Sequence, residues 1–367
     1  MSRVLVASSL STTPADAVLD VAARLRLLGL PNATHRDGVA LCFVSAMLAE
    51  DGKAMFDALG DLLWPLPFIT WVGPSAFHDQ RVPEKRPGLV VAVLPGVVGE
   101  VRHTLWDQHG MPMAAQLLAD GLVPDARFLS ISPASGPGGL DVLAAIDEVG
   151  GDIVGAIAHR RQHLRPGFSS LGVRGVRVVS AVARAARQLG PVRTITNADA
   201  NLIRELDGRP ALEQLMLDLP ASLKPQLSKL GGSLFAAFDY DDDGTVLRSI
   251  TGIDPRSGSI AVSEQAAVGS GVSFSLRDQA AAREDLDDAL DVLEETLAGR
   301  TPRLFLVHSS SSRDSELLGA PLWDVTRILL RFGPEVSVVG GSAAGEIAWL
   351  GDRTVVMGHS VVVSAIL

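Results

Sequence analysis

The sequence predicts an α/β fold made of two related α/β domains, with mixed sheets packed together and helices on the outside. Three observations carry that prediction. Short β-branched runs alternate with helical stretches, the connections between them are brief, and the C-terminal part repeats the strand and helix order of the N-terminal part. At 367 residues, 47% hydrophobic and 20% charged, the chain can bury an ample core, and its length suits two domains better than one.

The stretch up to Ser9 reads as a first strand, too quickly interrupted by Ser and Thr for a secretory leader. Residues 39–45 form a buried strand, 53–63 a helix and 68–72 the next strand, a βαβ rhythm. Strands are then expected at 89–94, 127–132 and 153–158, with helices at 113–119 and 140–148 between them. From 209 to 229 helix-forming residues are broken by Pro220 and Pro225, which places a domain junction there and divides the chain into 1–222 and 223–367. Residues 234–240, 245–250 and 259–262 look like an antiparallel meander, and 280–297 like an acidic amphipathic helix. Strand 304–307, helix 323–330, strand 336–339, a glycine-rich turn and two final strands complete the chain. The run 39–45 parallels 303–309, and 68–75 parallels 336–342, which points to duplication of a domain.

Composition excludes several classes of function. A formal charge of -10 and a pI near 5.3 oppose a basic face for nucleic acid or anionic lipid. The longest apolar runs, 89–94 and 360–367, fall short of the roughly 20 residues that span a bilayer, so a soluble, cytoplasmic protein is expected. The single cysteine, Cys42, excludes an internal disulfide and sits in a strand-like run that makes it a core residue.

No motif predicts catalysis. The segment from Gly340 to Ile347 lacks the Gly-Lys-Ser/Thr ending of a phosphate loop, the glycine spacing of a dinucleotide fold and the G-x-S-x-G spacing of a nucleophile elbow. Its small residues let a ligand approach the backbone, with Glu346 as a polar contact. The run from His308 to Arg313 follows a strand at its C-terminal end, where open α/β sheets place ligands. A triad of Ser309 or Ser342, His308 or His359, and Glu346 can be assembled only on paper. The acidic stretch from Asp239 to Gly244 begins like a calcium loop, but Ile250 occupies the position of the bidentate glutamate, so a hairpin turn is expected. The histidines at 35, 78, 103, 109, 159, 163, 308 and 359 show no compact metal-ligand spacing, and no metal site is expected.

Taken in order, Gly271-Val-Ser-Phe274 with Arg277-Asp278, the strand ending in His308-Ser309, the segment from Gly340 to Ile347, and Gly358-His-Ser-Val361 resemble the C-terminal domain of the FIST family. The stretch from Thr194 to Ala211, with its Leu206-Asp-Gly-Arg-Pro-Ala211, is similar to the family's link between N-terminal and C-terminal domains, and Thr251-Gly-Ile-Asp-Pro255 also fits. One departure is Gly73-Pro-Ser-Ala-Phe77, where family members often show a Gly-Cys-Ser-Ala-like turn.

The resemblance implies a sensory protein for a small ligand, such as an amino acid or similar metabolite, rather than an enzyme. No kinase, cyclase or F-box segment is present, so output is expected through a separate signalling protein such as a histidine kinase. Some bacterial members bind haem and sense nitric oxide, which makes a haem sensor the alternative, and a serine hydrolase is the second alternative. No cofactor is expected under the first reading. The ligand-binding residues expected are Gly341, Ser342, Gly345 and Glu346, with His308, Ser309 and His359 beside them, in a pocket near the domain junction.

Overall fold

The computed structural model describes residues 3–31, 37–82, 84–105, 125–132, 152–158, 167–239, 244–350 and 353–367. The helices expected at 113–119 and 140–148, residues 240–243 of the acidic turn, and His35, His109, His159 and His163 lie outside those residues.

Strand β1 (Leu5–Ser9) leads into helix α1 (Pro14–Leu27). Thr13 starts that helix: its hydroxyl accepts the Asp16 N–H, and Pro14 takes a first-turn position that needs no donor. There follow β2 (Val39–Ser45), α2 (Gly52–Leu63), β3 (Phe68–Gly73), β4 (Ala76–His78) and β5 (Leu89–Leu94). These give a sheet ordered β1-β5-β2-β3, in which only β2 and β3 are parallel. Strand β4 leaves it and pairs elsewhere.

The next four strands, β6 (Val98–Leu105), β7 (Ala126–Ser132), β8 (Asp152–Ile157) and β9 (Gly167–Arg174), repeat that pattern as β6-β9-β7-β8, with only β7 and β8 parallel.

A third copy begins at β10 (Val178–Arg184) and is then interrupted. Strands β11 (Ala186–Gln188), β12 (Arg193–Asp199), β13 (Leu202–Leu206) and β14 (Arg209–Pro210), helix α3 (Ala211–Asp218), and strands β15 (Leu234–Asp239), β16 (Thr245–Asp254), β17 (Ser259–Val262) and β18 (Gly271–Arg277) intervene. Six of these strands close a ring, β18-β12-β13-β17-β16-β15, because β15 pairs with β18 as well as with β16. The barrel's core is filled by Ile195, Ile203, Leu206, Ile260, Val272 and Phe274, with α3 against it.

After the barrel the third copy resumes with α4 (Gln279–Leu297), β19 (Leu304–Ser310), α5 (Trp323–Phe332), β20 (Val338–Ala343), β21 (Gly345–Leu350), β22 (Arg353–Met357) and β23 (Ser360–Ile366). The order β10-β23-β19-β20 has the same directions as the first two sheets, and β4 from the first copy extends it beside β20. In exchange, β21 and its hairpin partner β22 extend the second sheet beside β8.

The architecture is therefore mixed α/β, as the alternation predicts, but the repeat is threefold where duplication was expected. The expected division at 222/223 falls inside the barrel, whose strands β12 and β13 precede it and β15 to β18 follow it. Two prolines in a segment mark the end of a helix, not the end of a unit. The glycine-rich turn also needs correcting: residues 340–343 stay in β20, and Ala344 alone separates it from β21.

The inner faces of all three sheets meet in one core, to which the first gives Leu41, the second Phe128 and the third Leu306. The outer face of the first sheet is covered by α1 and α2, and that of the third by α4 and α5. Cys42 points outward into the helix-covered layer, where burial pushes its thiol pKa up and leaves it inert.

Candidate functional site

Matching β2 to β19 through their common partners equates Ser45 with Ser310 and Phe43 with His308, because Ser45 faces Gly73 as Ser310 faces Ala343. Similarity of apolar runs alone sets Phe43 against Val307, one residue out. Since strand side chains alternate, that single step separates the inner face from the outer.

At one level of the three sheets the neighbours are Phe43 and Trp71, Ser130 and Ala156, and His308 and Gly341. Phe43 stacks on Trp71 at 4.9 Å, and the His308 ring lies 4.9 Å from Trp71 and 5.9 Å from Phe43. The Trp71 indole N–H donates to the Leu129 carbonyl at 2.6 Å, which fixes the ring against the second sheet. Because Ala156 and Gly341 are small where Trp71 is large, a cavity of about 10 Å³ remains, walled by Phe43, Trp71, Ala156, His308, Gly341 and Ser342. That is close to the space one water needs.

His308 is 1% exposed, and neither ring nitrogen has a hydrogen-bond partner. Burial lowers its pKa to about 3, so the imidazole is neutral and offers one donor and one acceptor. Buried polar groups are nearly always paired, which makes this one a place where a bound molecule would be stabilised.

Just beyond, at the C-terminal ends of the parallel strands β19 and β20, lies a polar cleft of about 40 Å³. Ser75 and Ser342 line both cavities and form the partition between them. Ser309, Ser310 and Ser311 form one side of the cleft, and Glu84, Lys85, Asp314 and Trp323 line it as well. The Trp323 indole nitrogen is buried without an acceptor.

The cleft's charges are already matched. Arg313 grips Asp324 through two bonds, Nε to Oδ2 at 3.1 Å and Nη2 to Oδ1 at 2.9 Å, and also donates to the carbonyls of Arg184 and Ala282. Ser309 Oγ adds a bond to Asp324 at 3.3 Å. Glu84 accepts the N–H groups of Ser315 and Leu322. Lys85 and Asp314 pair at 2.8 Å, and Lys85 is largely exposed, so this pair can separate at little cost.

Of the residues expected from sequence, His308, Gly341 and Ser342 line the inner cavity, and Ser309 and Ser342 line the cleft. Gly345, Glu346 and His359 line neither. Glu346 is fully buried on β21, where its Oε2 accepts the hydroxyl and N–H of Ser360. Burial raises its pKa to about 8 despite those bonds. Glu346 therefore stands on β21, away from both cavities, with Oε2 held by Ser360 and its buried Oε1 without a partner. His359, at φ 59°, joins Ser249 of the barrel to Ser312 at 3.0 Å each, and burial lowers its pKa to about 4. Gly345 packs near Ile157 and Met357.

Sequence reasoning missed Trp71, Phe43, Trp323 and the Lys85–Asp314 pair. Their only signal was scarcity, since the chain has 5 tryptophans and few lysines.

The triad drawn on paper does not assemble. His308 bonds neither serine, His359 bonds Ser249 and Ser312, and Glu346 is held by Ser360. Haem does not fit these two cavities, which are far smaller than a macrocycle. No group of three or more His, Cys, Asp or Glu side chains among the described residues is placed to hold a metal ion. Among those residues, too, no helix is long and apolar enough to cross a membrane.

The FIST C domain family model matches residues 211–349, from α3 through the barrel strands β15 to β18 and on to β21, and so includes β19 and β20 with Ser309, Ser310 and Ser342. An uncharacterised protein of Mycobacterium tuberculosis is 27% identical over 305 residues, 77% of this chain and 79% of its own length. An uncharacterised protein of Mycobacterium bovis is 31% identical over 202 residues, 52% of this chain and 51% of its own length.

Proposed function

We propose that the chain, whose residues 211–349 match the FIST C domain, senses a small polar metabolite, such as an amino acid, in the cleft at the ends of β19 and β20. One observation carries the reading: the two adjoining cavities hold buried polar groups without partners, both ring nitrogens of His308 and the indole N–H of Trp323.

A ligand carboxylate or carbonyl would accept from Trp323 and the serine hydroxyls, and a donor would reach His308 past Ser342. Charges of both signs at Lys85 and Asp314 suit a zwitterion once their own pair opens. Because the cleft holds only about 40 Å³ when closed, binding would require that opening. Separation of Lys85 from Asp314 would free the segment after β19, and this movement would pass the signal to a separate partner protein. Binding without turnover is favoured, since among the described residues the serines, histidines and Glu346 considered for a triad are not aligned.

The test is thermal unfolding of the purified protein against the amino acids and small hydroxy- and keto-acids. A ligand at a hundred times its Kd adds about 2.7 kcal/mol and raises Tm accordingly. Ser342→Val, which removes a hydroxyl from the partition, should abolish the response of the cognate compound. A panel without any response, or a response indifferent to Ser342→Val, would rule out this cleft.

A further inference from the structure

We propose that the barrel carries a second binding site, for an anionic amphiphile of fatty-acid size. The site is separate from the cleft and does not depend on the reading given for it.

After α3 the chain passes Pro220 and forms a short 3₁₀ helix, Lys224–Lys229, that stands over strand β16. The ladder between β16 and β17 shifts register between Ile250 and Gly252, so β16 bulges at this point. Between helix and bulge lies a cavity of about 550 Å³, within the range of small-ligand sites. The bulge opens its wall: a Cβ built at Gly252 meets nothing closer than the Ala261 Cβ at 3.7 Å.

Leu227, Leu230, Ile250 and Ile253 line the cavity and are only partly buried against the barrel core, so apolar surface stays available. Lys224 is the charged residue of its lining, and the carboxylate of Asp254, between the lining Ile253 and Pro255, is taken up by the Arg256 N–H and the Ser257 hydroxyl. The chain has four lysines, of which Lys53 pairs with Asp57 and Lys85 with Asp314. The other two, Lys224 and Lys229, sit on the 3₁₀ helix with no carboxylate partner among the described residues, and Lys224 lines the cavity. In a chain of net charge -10, two unpaired lysines beside an apolar cavity select a ligand with an apolar body and an anionic head. An acyl chain would lie along the leucines and isoleucines, with its carboxylate at Lys224.

Titration calorimetry of the full chain with decanoate, below its micellar concentration, tests this. Saturable one-to-one binding is expected, with decyltrimethylammonium much weaker. Lys224→Glu should weaken decanoate at least about fivefold. Ser228→Trp, at an exposed cavity position, should abolish binding without lowering Tm. Absence of decanoate binding, equal affinity for the cationic amphiphile, or binding that survives Ser228→Trp would overturn the proposal.

Discussion

The His308 imidazole and the Trp71 indole lie 4.9 Å apart with their planes inclined at 60°. This contact links β19 of the third copy to β3 of the first, strands more than two hundred residues apart whose counterparts are β2 and β20. It also sets the environment in which a histidine is kept neutral and unpaired.

His308→Phe tests that environment. Replacing an unsatisfied polar ring by an apolar one of similar shape removes a desolvation cost, so stability should be unchanged or higher by about 1 kcal/mol. The ligand-induced rise in Tm should vanish. Urea unfolding checks the first expectation, and a loss above about 2 kcal/mol would show that the imidazole has an essential partner.

Two buried groups give opposite pH dependence. The His308 pKa falls to about 3, so the unfolded chain binds its proton first, and stability is lost as pH drops below about 6.5. The Glu346 pKa rises to about 8, so between about pH 4.5 and 8 the native state holds a proton that the unfolded chain has lost, and stability falls as pH rises. Glu346→Gln should remove the second slope, at most about 1.4 kcal/mol per pH unit. Urea midpoints at pH 7 and pH 8, above the range in which the histidine contributes, should therefore converge in the variant, and an unchanged difference would assign the slope elsewhere.

Arg313 and Asp324 form a buried pair, with side chains 0% and 6% exposed. Asp324→Ala leaves a guanidinium without its counter-charge and should cost about 3–5 kcal/mol. Chemical denaturation measures it, and a cost below about 1 kcal/mol would mean that water reaches Arg313.

The first and third sheets come close at Gly73, where a Cβ would lie 1.7 Å from the Ser342 carbonyl oxygen. Gly73→Ala must push β3 from β20 and should cost about 3 kcal/mol or more. Gly60, in α2, has nothing within 4 Å of such a Cβ, and Gly60→Ala should stabilise by about 0.5–1 kcal/mol through helix propensity. Melting temperatures of the two variants should move in opposite directions.

Local pattern was enough for the most apolar elements. The strands 39–45, 89–94 and 259–262 and the helix ending at 297 stand where the residues place them, because continuous apolar or amphipathic runs have one low-energy burial. Strands β12 and β13 were not legible, since their charged and polar residues carry little hydrophobic contrast. The FIST resemblance, too, rested on the sequence alone, through glycines and polar residues in a fixed order.

What the sequence determined by itself was the α/β class and a set of small and polar residues at the end of β19, in β20 and at the start of β21. Tertiary structure decided the rest: three copies in place of two, a barrel inserted into the third, and the division of those residues between a cavity, a cleft and the interior. The reason is physical. Strand pairing joins segments far apart in the chain, and a single residue of register turns a side chain from one face of a sheet to the other. His308 faces Trp71, and Glu346 is buried against Ser360, only because those long-range registers are fixed.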